Sequence, residues 1–166
     1  MNIRAKKMFK SGIAYAKSAS FLNESAGSDP ELLVPSQVNA ALALELYFKS
    51  LYQLIEQEDF KVKGKHSHDF YRIYKALPSE YRERMNKRFD DLISKRDKSD
   101  IKQMKLDSNV NISLKLESLI QNWSRVFVDM RYIYEAHKGT YIMILFPEIA
   151  QVVMKEVYDL DGSILS

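Results

Sequence analysis

The 166-residue chain contains no cysteine. Disulfides, zinc–thiolate centres and thiol catalysis are therefore excluded, and a reducing compartment suits the chain. Glycine and proline are scarce, at 5 and 4 residues. So little turn material fits a few long helices better than many short strands. Long apolar runs are also missing. The longest, near residues 141–154, is interrupted by Pro147 and Glu148 and is too short to span a bilayer. The basic start, residues 1–10, is not followed by an unbroken apolar stretch of the kind that a signal peptide needs. The expected setting is the cytoplasm, with no membrane association.

What is present is ordinary globular material: 46% apolar and 28% charged residues, with no internal repeat and no low-complexity linker. One domain spanning residues 1–166 is expected. The net charge of +3 is unevenly placed. Residues 61–105 carry 14 basic and 7 acidic groups, whereas the flanking thirds are net acidic. The middle third is the expected contact for a polyanion, although an exposed helical hairpin would look the same.

Periodicity predicts an all-α bundle of five or six helices. A first helix covers residues 5–23 and ends at Gly27-Ser28-Asp29-Pro30. A second starts near Pro35, with Ser36 as its N-cap, and runs to about Gln57. It is apolar nearly all round, as a central helix is. Before Glu56 its only charges are Glu45 and Lys49, spaced to pair at i,i+4. A buried charge must be paired, so Glu45 is either a structural ion-pair partner or a site residue.

A basic loop at residues 61–68 follows, then a short helix from Asp69 and another over residues 80–98 with Met85, Phe89, Leu92 and Ile93 on one stripe. Residues 98–111 read as a polar connection whose helix content the pattern leaves open. The clearest pattern is Ile112, Leu116, Leu119, Ile120, Trp123, Val126, Phe127, Met130 and Tyr134, ended by Gly139. Pro147 opens a last helix to about Asp161.

Two clusters could carry chemistry. Arg131 and His137 combine a phosphate-binding guanidinium with a group that moves protons near neutral pH. Six residues apart, they stand roughly 120° apart on an ideal helix, so one helix does not bring them together. The structural alternative pairs Arg131 with Glu135 and leaves His137 at the helix C-terminus. The second cluster, His66-Ser67-His68-Asp69, suggests a metal or an HD-type hydrolase. That chemistry needs an upstream histidine, and none of the three histidines precedes His66. Asp69 or Ser67 as a helix cap is the alternative. No glycine-rich phosphate loop and no Gly-x-Ser-x-Gly elbow occurs. No metal and no cofactor is expected. Phe60, Phe70, Tyr71, Tyr74 and Tyr81 interleave with basic residues, where rings either stack on bases or fill the core.

Three segments together resemble the HEPN superfamily. ALALELYFKSL at residues 41–51 is similar to its second-helix signature. HDFYRIYKALP at 68–78 resembles the Gly-His-Asp-Leu segment that often follows it. RYIYEAH at 131–137 resembles its Arg-x4–6-His motif on a late helix. The resemblance covers roughly residues 35–140. It implies a helical bundle that dimerises, with metal-independent endoribonuclease activity in a toxin or phage-defence setting. Arg131 would stabilise the phosphorane charge and His137 would act as general acid or base around the ribose 2′-hydroxyl. RNA, held through Lys61, Lys63, Lys65 and Arg72, and an antitoxin or other protein would be the partners. Tyr132 stands where active members usually place a polar residue. A non-catalytic module that binds nucleic acid, nucleotide or protein is the alternative.

Overall fold

The first two helices set the scaffold. In the computed structural model, which describes residues 2–108, 113–124, 126 and 144–165, α1 (Ile3–Ser25) and α2 (Leu33–Glu56) lie side by side. Their contact is a seam of small residues. Ser50 Oγ donates to the Ala5 carbonyl at 2.9 Å, and Ser36 Oγ donates to the Ala19 carbonyl at 2.9 Å. Between them, Gly12 lies against Ala43 and Tyr47. The facing pairs step by seven residues in opposite directions along the two helices, the spacing that keeps one stripe facing its neighbour in an antiparallel pair. Small side chains let the backbones approach, and each serine spends its hydroxyl on a carbonyl that its own helix leaves with a spare lone pair.

α1 is capped by Asn2, whose side chain accepts from the Ala5 amide. The chain re-enters through a 3-10 turn, Pro30–Leu32, capped by Asp29. That turn passes directly into α2, so Ser36 is not the N-cap that its type and position suggest. It lies inside the helix, buried, with its hydroxyl on α1. α2 ends where Gln57 takes a left-handed conformation, φ 58°.

The basic loop of residues 61–68 holds a two-stranded hairpin, β1 (Lys61–Val62) with β2 (Lys65–His66), in antiparallel register. Lys63 and Gly64 make the turn with φ of 50° and 76°. Positive φ at both central residues matches a type I′ turn, whose twist suits the strands it joins. Asp69 then caps α3 (Phe70–Ala76) by accepting from the Arg72 amide at 3.2 Å, as its position leads one to expect.

α4 (Ser79–Lys95) buries Met85, Phe89 and Ile93 on the expected stripe. Ser99–Ser108, expected as a polar connection, forms α5. α6 (Leu116–Trp123) buries Leu116, Leu119, Ile120 and Trp123, the first part of the long pattern. α7 (Phe146–Leu160) closes the described chain. Seven α-helices therefore stand among the described residues, more than the five or six expected, because α5 has too little apolar periodicity to announce itself. The architecture is all-α, apart from the hairpin of two-residue strands.

α2 packs on α1, α3 and α7, and α4 packs on α6 and α7. The buried apolar residues form one cluster, with Phe9, Tyr47, Phe48, Phe70, Tyr74 and Phe89 as its largest rings. α4 and α7 are also joined by charge. Arg84 and Arg88 both reach Glu156, Arg88 reaches Asp159, and Arg96 bridges Glu148 and Asp100. Lys155 and Arg88 together hold the Asp159 carboxyl below the usual carboxylate range. Among the described residues, no helix is long and apolar enough to cross a membrane.

Candidate functional site

Arg131 and His137 lie outside the described residues, as do Tyr132 and Glu135. The geometry that can be built concerns the two earlier segments of the resemblance and the basic hairpin beside them.

Lys61, Lys63 and Lys65 are exposed on the hairpin. None has a hydrogen-bond or ion-pair partner among the described residues. In the ribbon, Lys61 and Lys65 fall on opposite faces, with Lys63 at the tip. Arg72 sits in the first turn of α3, exposed, and its Nε lies 3.2 Å from an Asp69 oxygen. It is thus partly committed to its own helix cap. The hairpin lysines are the freer positive charge.

Two of the interleaved aromatic residues are core. Phe70 and Tyr74 are fully buried around Phe48, stacked on it at 6.1 Å and edge-on at 6.1 Å. They are not available to stack on bases. Burial pushes the Tyr74 hydroxyl above its usual range, against the opposing hydrogen bond from Asn86. Phe60 packs edge-on against Tyr52, and Tyr81 lies under the Arg84 guanidinium at 4.5 Å. Tyr71 is half-buried and donates to Glu117 at 3.2 Å. Lys75 donates to the same Glu117 oxygen at 2.9 Å, and these bonds hold the Glu117 carboxyl below its usual range while tying α3 to α6.

The most organised polar cluster centres on Glu45. Its side chain, 5% exposed, projects from the middle of α2. Lys49, one turn on, donates to Oε1 at 2.6 Å. The i,i+4 partner is the one that the spacing announces. The other partner is not visible in the sequence: His68, 23 residues away, places Nδ1 at 3.1 and 3.2 Å from the two carboxylate oxygens. A carboxylate only accepts, so this contact is a hydrogen bond in the tautomer that carries the proton on Nδ1. The His68 side chain is 55% exposed. Glu45 is thus structural through Lys49, and it also orients an accessible imidazole. Within the His66-Ser67-His68-Asp69 segment, Asp69 caps α3 and His68 turns to α2. Among the described residues, no group of three or more His, Asp or Glu side chains gathers as a metal site.

An open groove of about 310 Å³ lies between α4 and α7, with Leu92 and Val152 among its apolar lining and Arg88, Lys95 and Lys155 among its charged residues. Arg88 and Lys155 already face Asp159, so the groove offers little uncommitted charge.

No family model, curated protein or solved structure matches the chain.

Proposed function

We propose that this chain is a HEPN-like RNA-binding protein that cleaves RNA without a metal, in a toxin or phage-defence setting. The observation that carries the reading is the physical union of its first two segments. Residues 41–51 form the buried centre of α2, and residues 68–78 form the loop and helix seated on it. Phe48 meets Phe70 and Tyr74, and Glu45 meets His68. Two separated sequence patterns therefore act as one packed unit beside an exposed basic hairpin. In this reading Arg131 stabilises the charge on the phosphorane, and His137 transfers a proton at the ribose 2′-hydroxyl or the leaving oxygen. A homodimer supplies the convergence that a six-residue separation denies within one helix.

RNA enters along Lys61, Lys63 and Lys65. Each phosphate contact with a single strand contributes about −0.7 to the slope of log affinity against log salt. Three lysines therefore supply a slope of about −2. Fluorescence anisotropy with a single-stranded RNA across a salt series measures it. Wild-type protein is expected to show the steep response, and the Lys61→Ala, Lys63→Ala, Lys65→Ala variant a slope shallower by about 2. An equal slope in both proteins would remove the hairpin as the contact.

The second reading, a non-catalytic binding module, is favoured by Tyr132 at the position after the arginine. It keeps the salt response and lacks cleavage.

A further inference from the structure

We propose that the solvent face of α1 is a second contact for single-stranded RNA, with lysines for its phosphates and Phe21 for a base; this deepens the RNA-binding reading above and rests on it. The first 23 residues hold Arg4, Lys6, Lys7, Lys10 and Lys17 and no Asp or Glu. On α1, Ile3, Lys7, Lys10, Ala14, Lys17 and Phe21 step by four and three residues, which keeps them within about 80° of one another on an ideal helix. That arc lies opposite Ala5, Gly12 and Ala19, the buried seam against α2. The three lysines are exposed, and Ile3 and Phe21, at the two ends, are 63% and 69% exposed. The side chains of Lys7 and Lys17 have no hydrogen-bond or ion-pair partner among the described residues.

Helix stability does not call for this pattern. Cations near a helix N-terminus oppose its dipole, and no acidic residue stands in the first turn to offset them. Lys7 and Lys10 are like charges at i,i+3, and Lys6 and Lys10 at i,i+4, spacings at which repulsion destabilises a helix. A bound polyanion relieves both. The stripe extends about 27 Å from Ile3 to Phe21, which suits an extended strand. A membrane surface fits less well. An interfacial helix buries a broad apolar face in lipid, whereas α1 buries its apolar face in the protein and leaves only Ile3, Ala14 and Phe21 among the lysines of the stripe. An exposed ring one turn from a lysine offers an unstacked base its face and the next phosphate a charge. The location agrees with the hairpin. Arg4 meets Asp59 at 2.5 Å, and Lys61 follows Asp59 by two residues, so α1 begins at the end of the α1–α2 pair from which the hairpin springs.

The test is fluorescence anisotropy across a salt series, with the full chain and a labelled single strand of 2′-O-methyl RNA, which lacks the hydroxyl that cleavage needs. Wild type is compared with the Lys7→Ala, Lys17→Ala variant, with Phe21→Ala and with the hairpin triple variant. Loss of two phosphate contacts is expected to make the slope of log affinity against log salt shallower by about 1.4 in the double lysine variant. Phe21→Ala should bind about 5-fold or more weakly at every salt concentration, with the wild-type slope. The double lysine variant should melt at or above the wild-type temperature, because it removes repulsion. Wild-type slope and affinity in both α1 variants, beside a shallower slope in the hairpin variant, would overturn this proposal and leave the RNA reading standing. Unchanged RNA binding together with lost binding to phosphatidylserine vesicles would assign the face to a membrane and overturn it too. Weaker RNA binding accompanied by a lowered melting temperature would trace the loss to folding, with the same consequence. A wild type that binds no RNA would remove both.

Discussion

Replacing Arg84 and Arg88 together by alanine is expected to destabilise the protein by about 4 kcal/mol, within the range for breaking a buried ion pair. Glu156 is 0% exposed. Arg84 donates to its Oε2 at 3.1 and 2.8 Å, and Arg88 donates to Oε1 at 2.5 Å. Both carboxylate oxygens are therefore satisfied from α4 alone. Without the arginines a charged carboxylate stays in the interior with no partner, and nothing local replaces them. The reverse deletion is milder. Glu156→Ala leaves two guanidiniums that are 46% and 31% exposed, and Arg88 keeps Asp159. Water can take up much of what they lose, so a cost of about 3 kcal/mol is expected. For a chain of this length each kcal/mol moves the melting temperature by roughly 2–4 °C, so the two variants separate cleanly. Denaturant titration of both checks the order. A larger loss for Glu156→Ala than for the double arginine variant would contradict it.

Gly12→Ala is expected to destabilise, although the same change inside a helix ordinarily stabilises by roughly 0.5–1 kcal/mol. A methyl group on Gly12 would sit 2.7 Å from Tyr47 Cε1 and 3.3 Å from the Ala43 carbonyl oxygen. Tyr47 is buried and its ring packs on Phe9 at 5.4 Å, so it has nowhere to turn. Burial, helped by Tyr158, pushes its hydroxyl up to about 12. Either the ring leaves its packing or the two helices separate and strain the Ser36 and Ser50 hydrogen bonds on either side. Overpacking of this kind costs about 1–3 kcal/mol, more than the helix propensity returns. The cause is tested by a double-mutant cycle with Tyr47→Leu. Gly12→Ala should cost much less in that background, and an unchanged cost would assign the loss elsewhere.

Much of the fold is legible in the sequence, and the failures have physical reasons. Apolar patterning and breakers place α1, α2, α4 and α7 to within a few residues, α4 by one buried stripe and α2 by being apolar nearly all round. Ser36 misleads because the chain enters α2 through a 3-10 turn capped upstream by Asp29, and its hydroxyl is spent on α1. α5 escapes because Ile101 is its one buried residue among those described, too little for a period. The seam of Ala5, Gly12 and Ala19 was open to reading, since a small residue recurs every seven positions. Lone charges are harder. Lys49 announces itself as the partner of Glu45 by spacing, but His68 does not, because that contact depends on how the loop returns to α2. Glu156 gives one hint, a carboxylate among Val152, Val153 and Val157, while its partners lie 68 and 72 residues away. The candidate site divides the same way: the hairpin lysines and Glu45 stand out in sequence, whereas the Glu45–His68 union needed three-dimensional structure.

The central claim is metal-independent cleavage of RNA by Arg131 and His137. Purified wild-type protein and its Arg131→Ala, His137→Ala variant, incubated with total RNA in EDTA, test it most directly. Fragments from the wild type alone, ending in cyclic phosphate, are the expected result. Equal cleavage by both proteins, or intact RNA with both, would contradict it.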